Sequence, residues 1–161
     1  MAVADEAMEQ IRKGAFLTVE ADGQRNTMTI GWATIGFVWK KPVFMAAVRS
    51  SRYTFEIIEK AADFTVSIPN ADMSRELAFC GSRSGRDVDK FRECNLSTIA
   101  ASRVMSPIIS APGVHYECVI QYKQAMEPGH LSTDFQALYP KKDYHTLYFG
   151  EIVACYRTSQ S

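Results

Sequence analysis

Apolar and polar residues alternate along most of this chain, and short polar, glycine or proline breaks interrupt the alternation. Ala15 to Val19 reads as a strand and Asp22-Gly23 as a hairpin turn. Asn26 to about Phe37 is the return strand, with Met28, Ile30 and Trp32 on one face and Thr27, Thr29 and Gly31 on the other. Lys40-Lys41-Pro42 ends it, and the unbroken apolar run from Val43 to Val48 predicts a fully buried strand. Phe55, Ile58 and Ala62 then mark one face of a helix starting near Arg52. Phe64, Val66 and Ile68 alternate as a strand stopped by Pro69. Asn70 or Asp72 is placed to cap a second helix through Leu77, Ala78 and Cys80, with Gly81 in the C-cap position. Ser82 to Asp87 is a polar loop, and Asp87 is placed to cap a short turn holding Lys90 and Phe91. Asn95 to Pro112 reads as irregular. Val114, Tyr116, Cys118, Ile120 and Tyr122 form a long alternating strand, Glu127-Pro128-Gly129-His130 turns the chain, and His145 to Tyr156 is the last strand, with Gly150 at a bulge. Upstream, Asp5 is placed to cap a short helix with Met8 and Ile11 on its inner face, ended by Gly14.

Mostly antiparallel strands with a few short helices and returns of uneven length predict a mainly β fold. A small Greek-key barrel suits the pattern better than a doubly wound parallel sheet. Neither GxGxxG nor GxxxxGK[ST] is present, which disfavours the usual phosphate-loop folds. The 161 residues fit one domain with a sizeable core. Lys+Arg and Asp+Glu are 18 each, so the net charge is zero, and no basic excess marks a nucleic-acid or anionic-membrane binder. No stretch approaches a membrane span and the start lacks a basic region followed by an apolar one, so a cytoplasmic location is expected. Cys80, Cys94, Cys118 and Cys155 form no CxxC. With the three scattered histidines they match no zinc spacing, so buried reduced thiols and no metal are expected.

Three polar clusters interrupt the apolar pattern. Arg49-Ser50-Ser51-Arg52-Tyr53-Thr54 gathers two guanidiniums and several hydroxyls between a buried strand and a helix start, a donor density suited to a phosphate. A well-capped helix with solvated arginines is the competing reading. Asn26-Thr27-Met28-Thr29-Ile30-Gly31-Trp32 places small polar residues and glycine on a strand face. A flat heterocycle needs such an apolar wall with backbone donors and acceptors along one edge. Taken by itself it reads more simply as an ordinary strand with threonines and a bulge. Ser82-Arg83-Ser84-Gly85-Arg86-Asp87, followed by Lys90-Phe91, offers a flexible backbone and a charged fork, or a plain surface loop. His145 is placed to orient a substrate or protonate a reduced cofactor, though a lone histidine at a strand start also serves structure. No Ser/His/Asp order, carboxylate pair or nucleophilic cysteine signature stands out, which suits chemistry done by a bound cofactor.

In this order and spacing, these clusters resemble the flavin reductase-like family of FMN-binding split barrels, which includes flavoredoxin. The matching stretches are Gly14 to Leu17, Asn26 to Trp32, Lys41-Pro42, Arg49 to Thr54, Phe64 to Pro69, Ser84 to Asp87 with Asp89-Lys90-Phe91, and His145 leading to Phe149-Gly150-Glu151. The resemblance implies a homodimer of split barrels with FMN near the subunit interface. Asn26, Met28, Thr29, Ile30 and Trp32 would line the isoalloxazine. Arg49, Ser50, Ser51 and Thr54 would hold the phosphate, with Tyr53 nearby. Ser84, Gly85, Arg86 and Lys90 would close over the ribityl-phosphate end, and His145 would fall near the ring. The implied activity is NAD(P)H:flavin reductase, with the hydride passing through flavin N5 and NAD(P)H as reductant. The implied partner is a small-molecule redox substrate. A flavoredoxin-type carrier between redox protein partners, or a non-enzymatic flavin-binding or sensing protein, uses the same scaffold.

Overall fold

The computed structural model describes residues 9–159. Among them are strands β1 (Ala15–Ala21), β2 (Gln24–Ile30), β3 (Ala33–Val38), β4 (Lys41–Arg49), β5 (Asp63–Pro69), β6 (Thr98–Ile99), β7 (Ile108–Ile109), β8 (Gly113–Ala125) and β9 (His145–Thr158). Helices α1 (Tyr53–Ile58), α2 (Ser74–Ser82), α3 (Lys90–Glu93) and α4 (Thr133–Gln136), with a 3₁₀ turn at Pro128–His130, lie between them. Asp5 and Met8 fall outside the described residues. Residues 9–13 are helical, and Ile11 packs on the main core.

Seven strands pair antiparallel in the order β2-β1-β5-β8-β9-β4-β3. The two edge strands, β2 and β3, are consecutive in sequence and separated only by Gly31 and Trp32. So short a link spans about 11 Å at most, which forces the two edges of the sheet together and curls it into a barrel. The Ala47 N–H donates to the Trp32 carbonyl at 3.2 Å at this junction. The expected single strand from Asn26 to Phe37 is therefore two strands of one barrel, split at residues 31–32. Period-two alternation does not register the split because it continues through the bend.

The β1–β2 turn is the predicted Asp22-Gly23 pair, with φ of 51° and 73°. Trp39 and Lys40 turn β3 into β4 with φ of 53° and 60°, the same left-handed pair without glycine or asparagine. In β4 the run from Val43 to Val48 is buried except for half-buried Met45. Leu17, Val19, Met28, Ile30, Phe44, Val48, Phe64, Val66 and Tyr148 fill the barrel with Ile57 and Ile58 of α1. The helix ends at Ile58, short of Ala62; it buries the predicted Ile58 with Thr54 and Ile57, and Phe55 packs half-buried against the core. A second cluster of Phe16, Leu77, Cys80, Leu96, Ile109 and Ala111 binds α2 to the outside of the sheet.

Three local expectations shift. Asp72 supports the start of α2, accepting from the Ser74 N–H and hydroxyl at 3.0 and 2.6 Å, but Gly81 lies inside that helix. The carboxylate capping α3 belongs to Asp89, which accepts from the Phe91 and Arg92 N–H groups, because it rather than Asp87 directly precedes the helix. The stretch read as irregular carries the small β6–β7 pair and is pinned by two buried carboxylates. Glu117 accepts from the Ser102 and Arg103 N–H groups at 2.9 and 2.7 Å and from the Tyr156 hydroxyl at 2.8 Å. Asp63 accepts from Met105 and Ser106 N–H at 3.0 and 2.9 Å. Burial opposes the Glu117 charge, yet these donors, the Ser102 N–H foremost, hold its carboxyl below the usual value. Gly150 pairs with Ile120 beside a register shift at Ile120/Tyr122. A Cβ there would lie 2.7 Å from Cys118 Cβ and 2.8 Å from the Phe64 ring, so the core itself demands glycine.

Candidate functional site

The barrel's split opens a cleft of about 240 Å³, smaller than the roughly 300–1,000 Å³ common to small-molecule sites and open to solvent on one side. Met28, Thr29, Ile30, Gly31 and Trp32 form one side. Ala47, Arg49 and Arg52 face them from β4 and its exit turn, and Gly81 and His145 close the ends. Met28 and Ile30 are nearly fully buried in the barrel core, whereas Thr29 is half-buried and Trp32 exposed on this side of the cleft. The Thr29 hydroxyl donates to the Leu77 carbonyl at 2.6 Å and ties this side to α2.

The two guanidiniums differ in what they meet. Arg49 donates from Nη1 to Asp143 Oδ1 at 2.8 Å and from Nη2 to the Leu138 carbonyl at 3.0 Å, and its Cζ lies 4.7 Å over the Tyr139 ring. The Ser51 hydroxyl donates to the other Asp143 oxygen at 3.0 Å. Thus a carboxylate of the chain itself bridges two of the groups expected to take a phosphate. Burial opposes ionisation of Asp143, but the Ser51 hydroxyl and the Arg49 charge outweigh it and keep the carboxyl below its usual value. Arg52 has no carboxylate partner among the described residues and reaches only the Cys80 carbonyl, at 3.4 Å. Burial first, and the Arg49 charge second, lower its pKa, yet an arginine remains protonated. Its charge is available to an anion in the cleft.

His145 begins β9, opposite Arg49 in the β4–β9 register. Its ring lies 4.8 Å from that of Trp32 and its Nδ1 is 2.7 Å from the Tyr139 hydroxyl. Burial pushes the imidazole down to about 4, the Arg49 charge adds to this, and Asp143 opposes it. At neutral pH His145 is an uncharged imidazole.

Five more of the predicted residues gather at the other end of β2, around a second cleft of about 440 Å³ lined by Asn26, Tyr53, Gly85, Arg86 and Lys90 among others. Asn26 donates to the buried Thr54 hydroxyl at 2.8 Å. Arg86 pairs with Glu56, donates to the Ser51 carbonyl at 3.4 Å and sits 5.5 Å from the Tyr53 ring centre. Ser84 accepts from the Arg86 N–H at 3.2 Å, and Ser50 is exposed on the β4–α1 turn. Lys90 is almost fully buried, with its ammonium 2.9 Å from both the Thr27 and Cys80 carbonyls. Burial pushes it down to about 8, with Arg52 acting in the same direction and Cys80 against. It clamps β2 to the C-terminal end of α2. A Cβ on Gly85 would lie 2.4 Å from Asn26 Oδ1 and 2.7 Å from the Tyr53 ring, so only glycine lets this loop close on β2.

Eleven of the predicted residues thus line two clefts at the two ends of β2, while Ser50, Ser51, Thr54 and Ser84 line neither. Met28, Thr29, Ile30, Trp32, Arg49 and His145 meet at one; Asn26, Tyr53, Gly85, Arg86 and Lys90 meet at the other. Gly31, already part of the Asn26-to-Trp32 cluster, also lines the first, as do Ala47 and Gly81, and Tyr139 and Asp143 contact its residues; these last four were not singled out as site residues in the sequence. Arg52 stood inside the Arg49-to-Thr54 block, but only the turn geometry separates its free charge from the paired one of Arg49. No cluster of three or more His, Cys, Asp or Glu suited to a metal occurs among the described residues.

Comparison with known proteins gives this geometry a context. An uncharacterised protein of Archaeoglobus fulgidus is 24% identical over 138 residues, covering 86% of this chain and 68% of that one. The crystal structure of flavoredoxin from Methanosarcina acetivorans aligns with a TM-score of 0.70 at 24% identity, over 91% of this chain and 69% of that one. An NADH:FAD oxidoreductase of Streptomyces globisporus aligns at 0.68 and 19% identity, over 90% of this chain and 75% of that one. At these identities the structural likeness establishes the split-barrel fold. The sequence model described as the flavin reductase like domain matches residues 11–161, nearly the whole chain, and the protein belongs to that family.

Proposed function

We propose that this protein binds FMN in the cleft at the barrel split and works as an NAD(P)H-dependent flavin oxidoreductase. The observation that carries the reading is the meeting of Met28, Ile30 and Trp32 with two guanidiniums and a neutral imidazole around one open cleft. That donor set fits a flat, uncharged ring system bearing an anionic tail. The family membership and the flavin-named structural relatives support it. Met28, Ile30 and Trp32 would cover the ring, and Thr29 and Gly31 would present main-chain groups to its edge. Arg52, with Arg49 and Ser51 once released from Asp143, would hold the phosphate. Tyr53, Gly85 and Arg86 border the neighbouring cleft, along which a ribityl chain can run. When bound, the flavin supplies hydride chemistry at N5, and the open side of the cleft leaves room for a nicotinamide reductant. The protein's part is to orient the ring, anchor the tail and keep a neutral donor beside the reacting edge.

We also propose that the working unit is a homodimer. Strand β3 exposes Ile35, Phe37, Val38 and Trp39, and Trp39 packs against Tyr122 and Phe149 to extend the patch. Such a contiguous apolar edge suits a second copy of the chain. The free cysteines fit a reducing, cytoplasmic setting, and no described helix is long and apolar enough to cross a membrane.

Fluorescence titration with FMN, followed by anaerobic addition of NADH or NADPH, tests the catalytic reading. Saturable FMN quenching and bleaching of the bound flavin by a nicotinamide are expected. A protein that neither purifies yellow nor gains thermal stability with FMN refutes the flavin reading. Bound flavin that no nicotinamide bleaches refutes the reductase and points to a flavoredoxin-type carrier.

A further inference from the structure

Tyr139 is 4% exposed, although its chain segment is a surface loop between α4 and β9. Burying a phenol there calls for partners, and three converge on it. Its hydroxyl lies 2.7 Å from His145 Nδ1 and 3.4 Å from the Met126 sulfur, and the Arg49 guanidinium lies 4.7 Å over its ring. The Trp32 ring meets it edge-on at 6.1 Å. A tyrosine hydroxyl has one proton to donate, and an imidazole nitrogen is a far better acceptor than a thioether. A cation over the phenol ring further favours donation by its O–H. Donation of the Tyr139 proton to Nδ1 rather than to the sulfur leaves the ring proton of His145 to Nε2.

Nε2 has no protein partner among the described residues, and no unsatisfied buried side-chain nitrogen or oxygen occurs among them. His145 lines the open cleft, so Nε2 is the nitrogen a ligand can reach. Arg49 and Arg52 face the same space from the β4 exit turn, Asp143 lies behind Arg49, and Trp32 covers the imidazole on the β2–β3 side. Two guanidiniums are surroundings in which a neutral donor, rather than a third cation, is stable.

We propose that Tyr139 is a positioning residue that locks His145 as a neutral Nε2–H donor, so that the cleft selects a heterocycle presenting a carbonyl oxygen or ring nitrogen acceptor to that edge. The ligand half of this inference rests on the flavin reading above, while the tautomer half stands without it. Without the phenol proton, Nδ1 has no donor and the two neutral tautomers compete, so a fraction of the molecules presents a lone pair where the ligand needs a proton.

The test has two arms on the full chain. In the first, ¹⁵N-edited long-range NMR of ligand-free protein at neutral pH reads the His145 tautomer, with Nε2–H expected and a mixture expected in Tyr139→Phe. In the second, FMN affinity is measured in a double-mutant cycle of Tyr139→Phe and His145→Gln. Loss of one such hydrogen bond weakens FMN by roughly three- to tenfold in Tyr139→Phe. In the His145→Gln background, whose amide needs no tautomer, Tyr139→Phe should have no further effect. A wild-type imidazole protonated on Nδ1 overturns the proposal and needs no variant to fold. Equal losses in both backgrounds overturn it in favour of a packing role for Tyr139. If wild-type protein binds no FMN, the flavin reading fails, and the NMR arm still decides the tautomer.

Discussion

Replacing Asp143 by alanine should tighten FMN binding. In the ligand-free protein this carboxylate accepts from both Arg49 and Ser51, so it occupies the place a phosphate oxygen would take. A phosphate that uses those donors must first displace it. The pair is partly exposed, with side-chain exposures of 25% and 21%, and such a pair is worth about 1 kcal/mol after screening. Were Asp143 to remain beside the bound anion, repulsion at 4 Å with an effective dielectric of 20 would cost about 4 kcal/mol per charge pair. Swinging away avoids that cost, so the net penalty is the smaller one, about 1–2 kcal/mol. Its removal should improve FMN affinity by roughly 5- to 30-fold. Riboflavin, which lacks the phosphate, should bind wild type and Asp143→Ala alike. Fluorescence quenching with both flavins at fixed ionic strength reads this directly. The same substitution removes two contacts of the folded chain and should lower the melting temperature by about 2–4 °C. Unchanged or weaker FMN binding, or an equal gain for riboflavin, would show that Arg49 and Ser51 do not hold the phosphate.

Gly85→Ala places a methyl group against Asn26 and Tyr53, and overpacking should cost about 1–3 kcal/mol in urea unfolding. A neutral result would mean the 84–86 loop is free to lift from β2. Glu117→Gln keeps the shape but exchanges an acceptor for a donor facing the Ser102 and Arg103 N–H groups. It should cost about 2–4 kcal/mol in the same assay, and loss of protection at those amides in hydrogen exchange would locate the effect. Stability should fall as pH drops from 6.5 toward 4, because His145 takes up a proton readily when unfolded and only near 4 when folded. The full depression corresponds to about 3 kcal/mol, and His145→Gln should flatten the urea-midpoint profile in that window. An unchanged profile would mean the imidazole is charged in the folded protein.

Much of the fold was legible locally. The period-two runs of β5 and β8 and the unbroken apolar run of β4 marked strands that pack on the core, and the Asp22-Gly23 turn follows from its backbone preference. The Arg49-to-Thr54 block pointed to an anion by the density of its donors, and its resemblance to known flavin-binding segments narrowed the expected ligand. Residue order could not show that a strand from Asn26 to Phe37 splits at Gly31-Trp32 and joins the two edges of one sheet. That follows from seven strands curling until edge meets edge, a long-range pairing with no local signature. The β4–β9 pairing sets Arg49 opposite His145 and so brings Asp143 onto Arg49 across 94 residues, while the loop before β9 folds Tyr139 back onto His145. The sequence by itself thus determined which chemical groups were available: two guanidiniums, an apolar strand and an imidazole. Only the tertiary structure decided their states, because charge, tautomer and freedom to bind depend on neighbours that folding supplies. It left Arg52 free, engaged Arg49 with an internal carboxylate, buried Lys90 as a clamp and held His145 neutral beside the cleft.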